Sequence, residues 1–531
     1  MDKIRFFFAT VLVISLFSYN ASGQQDTTAT DSLVFFHDLS YHSDFEKESF
    51  KYFFSEDSKN FIAMFLAIGD NSNDEILQTV KKSIQAKIDK YNSPSYKKMK
   101  VGKRVKKILK DVHDSYFKKY ELQAYFDEIF TDGIFNCVTA SALYSIIFEN
   151  VDIPYAIKIS TNHVYLIAYP ETNSILVETT NPMEQYIVYD QHFKVKYVEY
   201  LTTIKIISED EAKGKTAEEL FNEYFYREKD ISLQNLIGIQ YYNRAVNLLE
   251  NKKYEDAFSS FEKAYFLNPS EENGYFLMAT DAIILNDCDY SDIKYAEYLA
   301  KLSRYKNIGI SNDNINREFY KITYTVLVNL SDTALYSKYF NKLITEISDT
   351  TLINEIGFIY YSEMGRYLFN KSKYKESLPY SEMAYRIERK NADAENLFIS
   401  NVIMAYSDMR NLYVILDSLN NYAGKYPELA GNNKFQGLRY SVILNLCNRN
   451  FSMHNGTKAL EYLTMFENSL PPDYSNMDIS LISRDIVNAY SNAASYYYRK
   501  GNYSKTKKYL KKGLEFIPGN YELLNKLNSV R

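Results

Sequence analysis

The stretch from Gly238 to Pro269, GIQYYNRAVNLLENKKYEDAFSSFEKAYFLNP, decides the fold of the C-terminal half of this sequence. Three small residues, Ala245, Ala257 and Ala264, recur among larger apolar ones, and a proline closes the segment. Two antiparallel helices pack closely where side chains are small, and a following proline turns the chain toward the next pair. The stretch therefore predicts a helical pair.

The pattern returns at two other places along the chain. Segments Phe358–Asn391 and Val487–Asn520 repeat it. Pro518 closes the later copy, whereas Arg389 replaces the expected proline in the earlier copy. In residues and in a period of about 34, these segments resemble the tetratricopeptide family. Weaker copies between them keep only helical periodicity, so we expect six or seven helical pairs.

The tetratricopeptide resemblance implies an all-α superhelix over residues 237–531 whose concave face receives an extended or helical peptide or protein segment. The sequence does not specify that ligand. Tyrosines such as Tyr496, Tyr497 and Tyr498 can line such a groove, or they can pack between helices with their hydroxyls at the surface.

The N-terminal half has a different pattern. Apolar residues three and four apart predict helices at Asp44–Phe54, Asp74–Tyr91 and Val105–Phe130. The stretch 131–205 then gives an apolar helix, CVTASALYSIIFEN, followed by the β-rich runs YAIKIS, HVYLIAYP, SILVETT and YVEYLTTIKII. This order predicts a helix followed by an antiparallel sheet.

Three reactive side chains stand at the junctions of this pattern. Cys137 opens the apolar helix, His163 opens the second strand and Glu178 ends the third. A thiol at a helix N-terminus is favoured as thiolate, an imidazole can take its proton, and a carboxylate can orient the imidazole. Antiparallel pairing of the last two runs brings His163 and Glu178 to one end of a hairpin. These residues are the candidate catalytic site.

The settings NCVTASALY, NHVYLIA and VETTNP resemble the transglutaminase-like superfamily over roughly residues 120–205. That resemblance implies an α+β, papain-like domain with Cys137 as nucleophile, His163 as general base and acid, and Glu178 as the orienting group. Glu178 stands where the family usually has Asp. The chain also has no Trp, so Val164 and Tyr165 follow the histidine instead.

Several alternatives stay open at this point. Cys137 can be a small buried helix residue, His163 a strand-edge histidine bonded to backbone, and Glu178 a solvated carboxylate. Some members of the superfamily have lost catalysis and serve as structural modules. Gln123 and the Asn136 side chain are both candidates for a second oxyanion donor, as a glutamine is in papain-like enzymes.

Composition restricts the partners. The chain has 62 basic and 67 acidic residues and no basic stripe that would follow phosphates, so we predict no nucleic-acid binding. Histidines elsewhere are scattered without Cys or Glu at metal-ligand spacing, and no phosphate-binding glycine loop is found, so we predict no metal and no cofactor.

The N-terminus predicts export. Lys3 and Arg5 precede the apolar run Phe6–Phe17, and Ala21 and Gly23 follow at the spacing that signal peptidase reads. A membrane anchor is the alternative, but the run is short of the roughly 20 residues that span a bilayer. We therefore expect a periplasmic or secreted bacterial protein, without a later transmembrane segment. Its three cysteines cannot all pair within one chain.

The predicted organisation is a signal peptide at 1–23, a transglutaminase-like domain with a helical lead-in at 24–208, a charged helical linker at 209–236 and the repeat array at 237–531. The predicted function is that of an exported thiol enzyme that cleaves or transfers the acyl group of an amide in a peptide, a protein or a peptidoglycan stem. The alternative is a catalytically inactive scaffold that mediates protein–protein interaction at the cell envelope.

Overall fold

The computed structural model describes residues 32–55, 59–160, 163–180, 229–407, 409–471 and 479–530, with short pieces between 187 and 220. The signal peptide predicted at 1–23 lies outside these residues. Most of the predicted run YVEYLTTIKII also does, and the residues described within it, Val198, Glu199 and Thr202, are helical rather than extended.

The N-terminal part begins with helices joined by short turns. They are α1 (Asp44–Ser55), α2 (Phe61–Leu66), α3 (Asp74–Tyr91), α4 (Pro94–Lys97) and α5 (Val101–Tyr116). Asn60 and Asn73 accept the capping hydrogen bonds that start α2 and α3. The first two predicted helices of this part coincide with α1 and α3.

The third predicted helix, Val105–Phe130, is too long. The helix ends at Tyr116, and β1 (Lys119–Tyr120) pairs in parallel with β2 (Ile134–Phe135) across the short helix α6 (Glu128–Thr131). Hydrogen bonds between these two strands replace helical ones, and local periodicity gives no signal of such pairing.

Helix α7 (Cys137–Asn150) is the centre of this part and is buried along almost its whole length. It packs against β3 (Tyr155–Ser160) and β4 (His163–Ala168). With β5 (Ile175–Val177), β6 (Ile187–Val188) and β7 (Lys229–Ile231), these strands form an antiparallel sheet in the order β6-β5-β4-β3-β7. A helix packed on an antiparallel sheet is what the sequence predicts here.

Strand β7 is unexpected, because Lys229–Ile231 falls within the predicted helical linker 209–236. It pairs with β3, and Lys158 of β3 places its Nζ 2.6 Å from Asp230 Oδ1. Three residues are too few for a period-two pattern, so the sequence could not indicate this edge strand.

From residue 233 onward the described chain is helical and consists mostly of hairpins. The three segments with the clearest repeat pattern each form two long helices joined by a tight turn: α8 (Leu233–Glu250) with α9 (Tyr254–Leu267), α14 (Thr350–Asn370) with α15 (Tyr374–Ile387), and α20 (Ser483–Arg499) with α21 (Tyr503–Phe516). The members of each pair pack closely together. Helical pairs are thus confirmed at all three places.

The remaining helices fill the intervals between these pairs. They are α10 (Glu271–Asp287), α11 (Tyr295–Leu302), α12 (Asn312–Ile322), which continues as a π-helix over Thr323–Asn329, α13 (Thr333–Glu346), α16 (Ala392–Ser407), α17 (Leu412–Lys425), α18 (Asn433–Ser452), α19 (Gly456–Ser469) and α22 (Tyr521–Ser529). Many tyrosines pack between helices, and Tyr241, Tyr339 and Tyr490 are fully buried. None of the helices in the described ranges has the length and apolar character of a membrane span.

By packing, the chain divides into two compact units. The first contains the described residues up to Cys288 together with Tyr298–Ser311, and the second contains Asp289–Glu297 together with the described residues from Asn312. The first hairpin, α8 and α9, therefore belongs to the same unit as the sheet. The boundaries read from the sequence, at residues 208 and 237, stay predictions.

Close helix approach gives a prediction for Gly513 in α21. A Cβ added there would lie 2.9 Å from Tyr490 Cβ and 3.0 Å from Leu523 Cδ1. We expect Gly513→Ala to destabilise the second unit by about 1–3 kcal/mol, despite the better helix propensity of alanine. Gly437→Ala in α18 is the matched control, because nothing lies within 4 Å of its added Cβ. Urea unfolding of both variants checks this, and equal stabilities would contradict it.

Candidate functional site

The start of α7 is fixed by Asn136, which is 2% exposed. Its Oδ1 accepts a hydrogen bond from the Thr139 backbone N–H at 2.9 Å, and Thr139 Oγ1 accepts one from the Asn136 N–H at 3.0 Å. Its Nδ2 donates to the carbonyl oxygens of Leu122 and Ala124, at 3.0 Å and 3.2 Å. This capping arrangement holds Cys137 at the first position of the helix.

These contacts overturn the candidacy of Asn136 as an oxyanion donor. Both of its amide hydrogens are taken by the loop that precedes the helix. Gln123 lies in the same loop, and its Oε1 accepts a hydrogen bond from Asn247 of α8 at 2.5 Å. Gln123 therefore remains the candidate of the two.

His163 and Glu178 meet as the strand order requires. In the β4–β5 ladder Leu166 pairs with Val177, so the start of β4 lies beside the residue that follows β5. His163 Nε2 lies 3.0 Å from Glu178 Oε1 and 2.9 Å from Oε2. Both side chains are only partly exposed. The structure thus brings together two of the three predicted site residues through the predicted hairpin.

Cys137 completes the cluster. It is half-buried and forms no disulfide, and its side chain is close enough to His163 to raise the pKa of that imidazole. The three predicted residues therefore stand in the order thiol, imidazole, carboxylate.

Electrostatics in the cluster favour a protonated imidazole. The hydrogen bonds of His163 with Cys137 and with Glu178 outweigh burial and raise the pKa of His163 to about 10. Burial would raise the pKa of Glu178, but the hydrogen bond and positive charge of His163 outweigh it and lower that pKa.

Other residues around the cluster were not found by the sequence reading. Thr180 donates to Glu178 Oε1 from its N–H at 3.1 Å and its hydroxyl at 2.8 Å. Ser141, one turn beyond Cys137, donates to the Val164 carbonyl at 3.4 Å. A threonine two residues after a carboxylate was the available signal for Thr180, whereas nothing local indicates Ser141.

Tyr120 is the other residue missed. It is 45% exposed and lies close enough to Cys137 and Glu178 for both to affect the pKa of its hydroxyl. Burial has the largest effect and raises the pKa of the Tyr120 hydroxyl, and the neighbouring Cys137 and Glu178 raise it further. Its position depends on the β1–β2 pairing, which the sequence did not predict.

Comparisons with known proteins add little to this geometry. No family model and no curated protein matches the chain. Among 33 matching chains of solved structures is the apo form of the quorum sensor NprR from B. thuringiensis. It is 12% identical, with 61% of this chain and 87% of that chain covered, at a TM-score of 0.16. A similarity this low carries no argument, so the helical repeat-like architecture rests on the hairpins themselves.

The described ranges contain no group of three or more His, Cys, Asp or Glu side chains placed to hold a metal ion. A thiol, an imidazole and a carboxylate in this order can form and hydrolyse a thioester.

The raised pKa of His163 predicts how the pair affects stability. A base whose pKa is higher in the folded than in the unfolded chain stabilises the fold below its unfolded pKa, about 6.5, and loses this effect as the pH rises through the folded pKa, here about 10. We expect His163→Gln to lower Tm at pH near 6 and to match the wild type more closely near pH 10. A Tm difference that is constant with pH would contradict this.

Proposed function

We propose that this protein is a helical-hairpin binding scaffold that carries a transglutaminase-like thiol site built from Cys137, His163 and Glu178. The binding role has the broader support, because most of the described chain is helical and three of its helix pairs are hairpins with the repeat pattern, and arrays of such hairpins bind protein or peptide segments. The thiol chemistry rests on one observation, the contact of His163 with both Cys137 and Glu178.

The arrangement supports a two-step reaction. The Cys137 thiolate attacks the carbonyl carbon of an amide, and the His163 imidazolium gives its proton to the leaving amine, so that a thioester remains on the sulfur. Water or a second amine then attacks the thioester while His163 takes its proton, and the Cys137 thiolate is released as the leaving group, which restores the thiolate and the imidazolium. Glu178 holds the imidazole in orientation throughout and stabilises its charged form.

The oxyanion formed in each step needs hydrogen-bond donors. The first helical hydrogen bond of α7 runs from the Ala140 N–H to the Asn136 carbonyl. The N–H groups of Cys137 and Val138 come before it, so they have no acceptor within the helix and can donate to an oxyanion. In this proposal the Cys137 N–H and the Gln123 side chain act as the donors.

The same elements support the proposed transglutaminase-like assignment. A buried helix with the cysteine at its N-terminus packs on an antiparallel sheet that carries the histidine and the acid, which agrees with the papain-like arrangement that the sequence resemblance implies. The glutamate in place of aspartate lengthens the acid by one methylene, and it meets the imidazole at 2.9 Å. Export to the periplasm or the medium, with a peptide, a protein or a peptidoglycan stem as substrate, is part of the proposal on sequence grounds alone.

The test is alkylation of the full-length protein with iodoacetamide, followed by peptide mapping of each cysteine. We expect Cys137 to react about tenfold or more faster than Cys288 near pH 7, because Cys137 has the His163 imidazolium beside it. Cys288 is the internal control, since it is also half-buried and its sulfur donates to the Leu285 carbonyl. His163→Ala is expected to remove the difference.

The opposite result has a clear meaning. If Cys137 reacts no faster than Cys288 and His163→Ala leaves its rate unchanged, the non-catalytic scaffold is the correct function. In that case the thiol, imidazole and carboxylate are packing residues of the sheet and its helix.

A further inference from the structure

The last hairpin carries a concentration of positive charge in a protein whose net charge is −5. Between Asp485 and Glu515 there is no acidic residue, and the basic ones are Arg499, Lys500, Lys505, Lys507, Lys508, Lys511 and Lys512. Within the part of the chain that the structure describes, only Lys512 of these has a carboxylate at ion-pair distance, Glu467 Oε2 at 2.6 Å. A run of lysines is often only solvated surface, so charge alone does not make a site.

A groove of about 900 Å³ adjoins this charge. It lies between helices α18, α19 and α20 of the second unit, and its apolar lining comes from Leu460, Met465, Tyr496 and Tyr497. Its volume is in the range of sites that take a small ligand or a few side chains. The groove therefore offers apolar contact that a flat charged surface does not.

Two of the lysines contact the rings of Tyr496 and Tyr497, which line the groove. Lys500 Nζ lies 4.3 Å from the centre of the Tyr496 ring and is hydrogen-bonded to its hydroxyl, and Lys505 Nζ lies 4.9 Å from the centre of the Tyr497 ring. Cation–π contacts of this kind hold an ammonium group at a ring face while leaving it able to meet an anion. Positive charge and apolar lining thus meet at one edge.

We propose that this groove binds an acidic peptide segment in which an apolar side chain enters between Met465 and Tyr497 while flanking carboxylates meet Lys500 and Lys505. Glu461 lines the same groove, so the acidic side of the peptide lies toward the lysines rather than toward α19. The apolar lining of this open groove favours a peptide that carries an apolar side chain over a membrane surface or a nucleic acid, whose main attraction would be to the lysines. The inference rests on the binding half of the proposed function and is independent of Cys137.

Fluorescence anisotropy tests it with the full-length protein and a labelled peptide in which glutamates flank a central leucine. We expect this peptide to bind at least about tenfold more tightly than the same peptide with lysines in place of glutamates, and less tightly as salt is raised. The double variant Lys500→Glu with Lys505→Glu should lose this preference. Its control is Lys338→Glu with Lys390→Glu, a charge reversal at exposed positions elsewhere in the second unit.

Met465→Ala tests the apolar half, because it removes contact area without changing charge, and it should weaken binding of the acidic peptide severalfold. The proposal is overturned if both peptides bind equally, if the Lys500 and Lys505 reversal has no more effect than its control, or if anionic vesicles or DNA oligomers compete more strongly than the peptide. If no peptide of either charge binds, the binding half of the proposed function fails as well. If Cys137 proves unreactive while peptide binding is selective, only the enzymatic part of the proposed function is contradicted.

Discussion

Replacing Lys263 by methionine is expected to destabilise the first unit by about 3 kcal/mol. Lys263 and Glu46 are 2% and 0% exposed, and Nζ lies 2.8 Å from Oε1. Removing one partner of such a buried pair leaves the other charge uncompensated, which commonly costs about 3–5 kcal/mol. The low end applies here, because His42 and Tyr241 keep their hydrogen bonds to Glu46. Urea unfolding measures the loss.

The effect of pH distinguishes this cause from lost packing. Burial alone would raise the pKa of Glu46, but the hydrogen bond of His42 and the charge of Lys263 outweigh it and lower the pKa to about 2. The wild type therefore keeps the stability that this carboxylate contributes until the pH falls from the unfolded value toward 2. Without Lys263 the carboxyl can take up a proton, so the difference between variant and wild type should narrow as the pH is lowered.

Two variants serve as controls for Lys263→Met. Glu46→Gln combined with Lys263→Met removes both charges and should recover a large part of the loss. Lys51→Met breaks an exposed pair with Glu48, 3.7 Å apart, and should change stability by less than about 0.5 kcal/mol. A double variant as unstable as Lys263→Met would show that the charge of Glu46 is not the cause.

Asn136→Ala is expected to cost about 3 kcal/mol and to impair Cys137 at the same time. The change removes a helix cap, worth about 1 kcal/mol, and the two hydrogen bonds to the Leu122 and Ala124 carbonyls, at about 0.5–1.5 kcal/mol each, although Gln240 still donates to Ala124. The loop that carries Gln123 and the first turn of α7 then lose this side-chain connection. Unfolding in urea and the rate of Cys137 alkylation are the two measurements.

The matched variant is Asn73→Ala, at the cap of α3. Asn73 accepts the equivalent bond from Ile76 N–H at 3.0 Å but lies at an exposed helix end and makes no such link to a loop. It should cost about 0.5–1 kcal/mol and leave alkylation unchanged. If Asn136→Ala costs no more than Asn73→Ala, the two carbonyl contacts contribute nothing to stability.

The parts of the fold that the sequence predicted are those with local signals. Small residues at a repeated spacing identified three hairpins, and the polar ends of the apolar runs placed Cys137 at a helix start and His163 at a strand start. The hairpin geometry then required Glu178 to reach His163, as it does at 2.9 Å. Period and register are properties of neighbouring residues, so they can be read from the chain.

The features that the sequence did not predict depend on partners far along the chain. Glu46 and Lys263 are 217 residues apart, and Gln240 donates to the Ala124 carbonyl across 116 residues. Strand β7 pairs with β3 although their facing residues, such as Asp230 and Lys158, lie in different predicted segments. Each of these residues has an ordinary surface pattern around it, and only tertiary packing gives it a partner.

The separation of Glu46 from Lys263 has a consequence for the order in which the molecule forms during synthesis. At roughly 5–20 residues per second, a ribosome needs on the order of ten seconds or more to add the 217 residues between them. Until then Glu46 lacks its partner Lys263, and the sheet lacks its edge strand β7. The thiol cluster is complete in sequence by Glu178, but the unit around it can only close after the first hairpin has emerged.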